Sequence, residues 1–236
     1  MTWRVHHVAE TTSTNFLARE GEPGEVWSTD SQTAGRGRLD HVWHAARGSA
    51  VMLSAVIDIT ALPLERVPTL TIAVGVAVLR TVKEFATKGR LELKWPNDVW
   101  VDKRKIAGIL CEQHGTRAII GIGLNVFEGS FPADLAARAT SLALQSSQHL
   151  TCAAVEEKLL FHLNACVMLW KKEGLSAFAS EIAAVDALKG RFVEIRQMDD
   201  DPEPLKGICR GIAPDGTLIV GDKAIYAGEA HVLSWN

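Results

Sequence analysis

Several things are scarce in this 236-residue chain. Its four cysteines (Cys111, Cys152, Cys166, Cys209) are dispersed and form no C-x-x-C pair. They read as reduced core residues of a cytoplasmic protein, not as a disulfide framework or metal site. No apolar run approaches the roughly 20 residues that span a bilayer, so no membrane partner is expected. Charge within the first ten residues argues against a secretory leader. Neither sign of charge dominates, with 25 basic against 28 acidic side chains. A protein holding duplex DNA through its phosphates would be more basic, so any positive site is local. The histidines, His6-His7 included, lack H-x-x-x-H spacing, and there is no internal repeat or low-complexity tract. With 47% hydrophobic and 22% charged residues the chain is otherwise an ordinary globular one.

Periodicity supplies the elements. Ser13 or Thr14 can cap a short helix ending near Gly21, followed by a strand over Val26–Ser31 and a buried strand over Ala50–Ile57. Pro68–Thr87 and Val155–Lys172 are apolar at helical spacing, and Gly174 stops the second. Leu91–Lys94, Val99–Val101, Lys105–Glu112 and Arg117–Asn125 are strand-like, the last two forming a hairpin at His114-Gly115. After Leu188 the segments shorten to Arg191–Gln197, Lys206–Ala213, Thr217–Val220 and His231–Trp235, punctuated by Pro214-Asp215-Gly216 and the solvated run Asp199 to Asp201. This predicts a large domain over 1–187 and a small antiparallel barrel over 188–236 that leans on it. Cys111, Trp95, Trp100, Trp170 and Trp235 are expected in the core.

Three segments stand out chemically. Ser31-Gln32-Thr33-Ala34-Gly35-Arg36-Gly37-Arg38 alternates glycines that let a backbone approach a ligand with guanidinium forks that match carboxylate and phosphate oxygens. By itself it could equally be a solvated loop or an RNA-contacting tail, and it fits neither common nucleotide-binding glycine fingerprint. In Lys94-Trp95-Pro96-Asn97-Asp98 the proline presets a turn, which puts Asn97 and Asp98 at a loop tip with free polar ends. Arg104-Lys105-Ile106-Ala107-Gly108-Ile109-Leu110 follows, with the Lys105 ammonium at the mouth of an apolar strand. In Gly121-Ile122-Gly123-Leu124-Asn125 the glycines make room for something else, either a ligand or a tightly packed helix. Asn125 offers a donor and an acceptor to a heteroaromatic ring.

Together with Ser13-Thr14-Asn15, these segments in this order resemble the catalytic domain of the biotin protein ligases, the biotin–[acetyl-CoA-carboxylase] ligase family. The resemblance runs the length of the chain, because Gly207, Gly211, Asp215-Gly216 and Gly228-Glu229 fall at the turns of that family's final barrel. It implies an α+β fold: a mixed sheet packed by helices, like class II aminoacyl-tRNA synthetases and lipoate ligases, plus a Src-homology-3-like barrel. It implies that biotin and ATP, with magnesium, give biotinyl-5′-AMP, and that biotin then passes to a lysine of a biotin carboxyl carrier domain.

By the same resemblance, Ser13, Thr14, Gln32 and the backbone of Arg36, Gly37 and Arg38 bind the ureido ring, Gly35, Trp43, Leu110, Gly121 and Gly123 form the sleeve around the tail, and Asn15 and Gly108 also belong to the biotin site. Lys105 contacts the biotin carboxylate and later the bridging phosphate, helped by Lys94, Arg36 and Arg38. Asn97 and Asn125 face the adenylate, and Asp98 places magnesium or the incoming lysine. No metal ligand set is implied. The loop from Arg36 to Trp43 is expected to order on ligand binding. Where the family usually reads G-R-G-R-x-G-R-x-W, this chain has Asp40 for a glycine and His41 for an arginine, which predicts weaker retention of the adenylate.

With Ser13 so near the first residue, no DNA-binding domain is expected ahead of it, and thus neither DNA partner nor repressor activity. The family's sheet edge also makes a homodimer conceivable. A lipoate or octanoyl transferase and a non-catalytic biotin sensor are the competing readings. Gln32, Arg36 and the Lys94–Asp98 segment argue against the first of these.

Overall fold

A computed structural model describes residues 2–39, 41–86, 88–127, 131–133, 135–196 and 203–234. The Asp199 to Asp201 run, Trp235 and Asp40 lie outside these described residues. Seven strands make one mixed sheet: β1 (Arg4–Val8), β2 (Glu25–Thr29), β3 (Ala50–Asp58), β4 (Leu91–Lys94), β5 (Asp98–Val101), β6 (Arg104–His114) and β7 (Arg117–Asn125), in the order β1-β2-β3-β7-β6-β5-β4. Only β1 runs parallel to its neighbour. Helix α1 (Thr14–Ala18) lies against β2, β3 and β7. Helix α2 (Leu70–Phe85), led in by a 3-10 turn over Leu64–Thr69, covers the other face. The short α3 (Leu142–Gln145) precedes α4 (Cys152–Glu173), which packs on α2, and α5 (Ala179–Val185) closes the layer.

The expected elements appear within a few residues of their predicted ends. β1, α3, α5 and a three-residue strand over Lys223–Ile225, too short to show a convincing period, lie outside the expected elements. Gly174 ends α4 with φ +73°, and its N–H bonds Trp170 O. α1 differs from expectation at its start. Ser13 holds the N-cap position but makes no side-chain cap; the first helical N–H, of Thr14, is taken at 2.8 Å by Gln32 Oε1. The reason is tertiary: residues 31–34 run beside 11–12 through Thr33 N–H to Thr11 O and Ala34 N–H to Thr12 O, both 2.9 Å.

A second, antiparallel sheet holds β8 (Phe192–Arg196), β9 (Leu205–Ile212), β10 (Leu218–Val220), β11 (Lys223–Ile225) and β12 (Glu229–Ser234), in the order β11-β10-β9-β8-β12. It shares one continuous apolar core with the large sheet, through Val193, Ile195, Cys209 and Leu218. Trp95, 2% exposed, donates Nε1–H to Gly216 O at 3.0 Å, and Ala187 N–H bonds Leu93 O. Trp170 is likewise buried, whereas Trp100 is partly exposed. The four cysteines are unpaired, and burial pushes the Cys111 thiol up to about 12, which removes it as a nucleophile. Among the described residues no helix is long and apolar enough to cross a membrane.

Candidate active site

Backbone register explains why the singled-out segments meet. Met52 pairs with Gly123, Gly123 with Gly108, Gly108 with Asp98, and Asp98 with Lys94. Because side chains alternate across a strand, directly paired residues share a face. These five therefore form one row across β3, β7, β6, β5 and β4. The next row holds Ser54, Gly121 and Leu110. Lys105 lies three residues from Gly108, so strict alternation would turn it to the opposite face. A register shift between Val99 and Trp100 leaves one extra residue in β6 and pairs Lys105 with Trp100. Its ammonium folds back over Gly108, where a Cβ would sit 3.0 Å from Nζ.

The glycines make room for protein side chains. A Cβ on Gly121 would lie 2.1 Å from Asn15 Oδ1, and one on Gly123 would lie 2.4 Å from the Trp43 ring. The space that the resemblance assigned to a ligand sleeve is therefore lined by Asn15 and Trp43.

At this end the polar groups form a chain. Ser54 Oγ lies 2.7 Å from Thr14 Oγ1 and 2.6 Å from Asn15 Oδ1; Asn15 Nδ2 donates to Glu112 Oε2 at 2.7 Å. Ser13, Thr14, Asn15 and Ser54 are all buried. Arg19 and Arg36 both reach Glu112 Oε1, at 3.3 and 3.2 Å. Burial pushes the Glu112 pKa up, but the Asn15 hydrogen bond and the two guanidinium groups outweigh it and hold the carboxyl below its usual range.

The other end is charged. Lys105 Nζ lies 2.7 Å from Asp98 Oδ1 and 5.8 Å from the Trp43 ring centre, and Lys94 Nζ lies 5.3 Å from the ring centre of Trp100. Burial pushes the Lys94 pKa down, Asp98 partly opposes this, and Lys105 adds to it. Arg38 is likewise lowered by burial against the pull of Glu229 and Asp98. The loop between Gly35 and Trp43 is a tight hairpin, with Gly37 N–H to His41 O at 2.6 Å and Trp43 N–H to Gly35 O at 3.0 Å. It docks on the small sheet: Arg38 donates to Gly228 O at 3.3 Å, and His41 Nε2 lies 3.0 Å from Glu229 Oε1.

Two expectations about the turn are corrected. Asp98 is not at a loop tip; it opens β5 and is ion-paired. Asn97 is not free, since its Nδ2 donates to Ile109 O at 3.0 Å. Both follow from β5 pairing immediately after the proline turn. Asn125 is buried, with Nδ2 donating to Thr140 O and Oδ1 without a protein partner. Among the described residues no group of three or more His, Cys, Asp or Glu is placed to hold a metal. Asp98 is engaged by Lys105 and near Lys94 and Arg38, surroundings that repel a divalent ion, so the protein groups here do not fit a resident magnesium site.

Ser54, Glu112 and Glu229 were missed as site residues. Ser54 is the one hydroxyl in an apolar strand, and Glu112 continues the Gly108–Leu110 alternation; both signals were legible. Glu229 had no such signal, since only tertiary folding brings it to the loop.

Residues 6–125 match the model of the biotin/lipoate A/B protein ligase family. The biotin–[acetyl-CoA-carboxylase] ligase of Mycobacterium tuberculosis is 31% identical over 98% of this chain and 89% of its own length. A bifunctional ligase/repressor BirA of Bacillus spizizenii is 37% identical over 61% of this chain and 46% of its own length, so the chain spans about half of that curated relative. A biotin protein ligase from Aquifex aeolicus, solved in complex with biotin and ATP, superposes with a TM-score of 0.84 at 25% identity, covering 96% of this chain and 97% of that one.

Proposed function

The chain belongs to the biotin/lipoate A/B protein ligase family, and on that premise we propose that it is an ATP-dependent biotin protein ligase. It activates biotin to biotinyl-5′-AMP and transfers the biotinyl group to a lysine of the carrier domain of acetyl-CoA carboxylase or a related carboxylase, in the cytoplasm. In the first step a biotin carboxylate oxygen bonds the α-phosphorus of ATP, and the bond to the β-phosphate oxygen breaks to release pyrophosphate. In the second, the acceptor amine bonds the acyl carbon, AMP leaves and the amine loses a proton.

The nucleophile of the first step is already ionised, so the barrier lies in bringing two anions together. Positioning and charge neutralisation are the tools for that. The observation that carries the reading is a polar network anchored on Ser54 in one row of a sheet face and, along the next row, Asp98 and Lys94 with the Lys105 ammonium folded over Gly108. Thr14, Asn15 and Gln32 offer polar contacts to the ureido ring, and Trp43 with Leu110 encloses the tail. Lys105, resting on Asp98, exchanges that carboxylate for the biotin carboxylate and then for the phosphate, while Lys94, Arg36 and Arg38 neutralise the phosphoryl oxygens. Asp98 positions Lys105. The buried Asn125 Oδ1 is the acceptor open to an adenine amino group, and Asn97 shapes the same wall through Ile109. Magnesium arrives on the ATP phosphates, with no residue of this chain assigned to it.

The test incubates the protein with biotin, magnesium-ATP and a carrier domain, following pyrophosphate and the acceptor's mass. The expected result is pyrophosphate release and one biotinyl adduct on the acceptor. Absence of both overturns the reading; pyrophosphate without an adduct makes the protein a biotin sensor, and an adduct only with lipoate makes it a lipoate ligase.

A further inference from the structure

Glu112 lies at the polar end of the site, beyond the row of Ser54, Gly121 and Leu110, and nothing so far gives it a task. Its two oxygens are divided. Oε2 accepts from Asn15, which reaches Ser54 and so Thr14 on the neutral side. Oε1 is shared by Arg36, from the loop, and Arg19, from the end of α1. Two guanidinium groups each within 3.3 Å of one oxygen are necessarily close neighbours. Without the intervening negative charge they repel each other, and the partner with more room to move into solvent is Arg36, whose side chain is 47% exposed against 34% for Arg19.

We propose that Glu112 is a positioning residue: its charge holds Arg36 and the start of the Gly35–Trp43 hairpin over the pocket by screening Arg36 from Arg19, while its other oxygen separately orients Asn15. The consequence for catalysis rests on the ligase reading; the consequence for the ligand-free loop does not. A glutamine at 112 keeps an oxygen for Asn15 and puts an uncharged NH2 donor where Oε1 accepted from Arg19 and Arg36, so the variant separates the two jobs.

The test uses the full chain with Glu112→Gln, alone and combined with Arg19→Gln. In the absence of ligands, trypsin should cut after Arg36 or Arg38 several-fold faster in Glu112→Gln than in wild type, with fragment masses identifying the cut. Adding Arg19→Gln should return the rate most of the way, because the repulsion is gone. With biotin and ATP, Glu112→Gln should bind biotin within about threefold of wild type, while adenylate dissociates roughly tenfold faster, the scale expected for losing a charge-assisted contact. Arg19→Gln should recover part of that loss.

Unchanged cleavage in Glu112→Gln overturns the proposal, and so does faster cleavage that Arg19→Gln fails to reverse, which would mark Glu112 as scaffold only. If Glu112→Gln loses biotin and adenylate alike, the division between its oxygens is wrong and the proposal falls as well. A wild-type protein that forms no adenylate would sink the ligase reading alone, since the cleavage series needs no substrate.

Discussion

Around Asn15 the polar side chains are largely spent on one another, through Thr14, Gln32, Ser54 and Glu112. Around Lys94 three cations, Lys94, Lys105 and Arg38, are set against two carboxylates, Asp98 and Glu229. The first end is buried, with its polar groups paired to one another, which on the proposed reading favours a neutral ring with matching donors and acceptors. The second is short of negative charge, and burial makes its cations costly until an anion arrives. The two ends share β6, which carries Glu112 at one and Lys105 at the other, and each is completed by residues from outside the sheet.

Lys105→Ala should break this contrast most severely. Removing a cation from where charge develops is expected to lower the rate of pyrophosphate release by roughly 10²–10³-fold, while a biotin analogue without the carboxylate should still bind. Equal losses for both ligands would show that the two ends are not separable. Gly123→Ala acts through the Trp43 wall instead. Its Cβ would meet the Trp43 ring, and the overpacking should cost about 1–3 kcal/mol, read as weaker biotin binding by calorimetry with ATP binding altered less.

The pH dependence sharpens the charged side. Burial lowers the Lys94 pKa, so the ammonium that favours nucleotide binding is lost at a lower pH than for an ordinary lysine. ATP affinity should therefore be full below that pKa and fall as pH rises through it. Each pKa unit that the nucleotide restores is worth about tenfold in affinity. Lys94→Arg should abolish the alkaline fall in a KM–pH profile. The smallest effect belongs to the loop segment that includes His41. Asp40→Gly combined with His41→Arg should slow adenylate dissociation by a few-fold, since a permanent cation opposite Glu229 replaces a histidine at 3.0 Å; exposed pairs of this kind contribute about 0.2–1 kcal/mol.

The segments Lys94 to Asp98, Lys105 to Leu110 and Gly121 to Asn125 were legible as one set only through the family resemblance, and as strands and turns from alternation and glycine positions. The amphipathic faces of α2 and α4 were legible for the same reason at period 3.6. Glu112 and Ser54 were legible in principle from alternation alone. Asn97 and Asp98 misled, because a proline turn looks like a loop tip until its flanking strands are paired.

What the sequence by itself determined is the alternation of buried and exposed residues, hence the elements, and the chemical inventory of guanidinium, ammonium, carboxylate and bare backbone. Tertiary structure decided which of those groups face one another. A single extra residue in β6 turned Lys105 onto the face of Gly108, the parallel run of 31–34 beside 11–12 gave the Thr14 N–H to Gln32, and the small sheet brought Glu229 to His41. Each depends on register or on docking between segments far apart in the chain. A local pattern constrains which face a side chain occupies, but carries no record of the distant strand that will lie beside it.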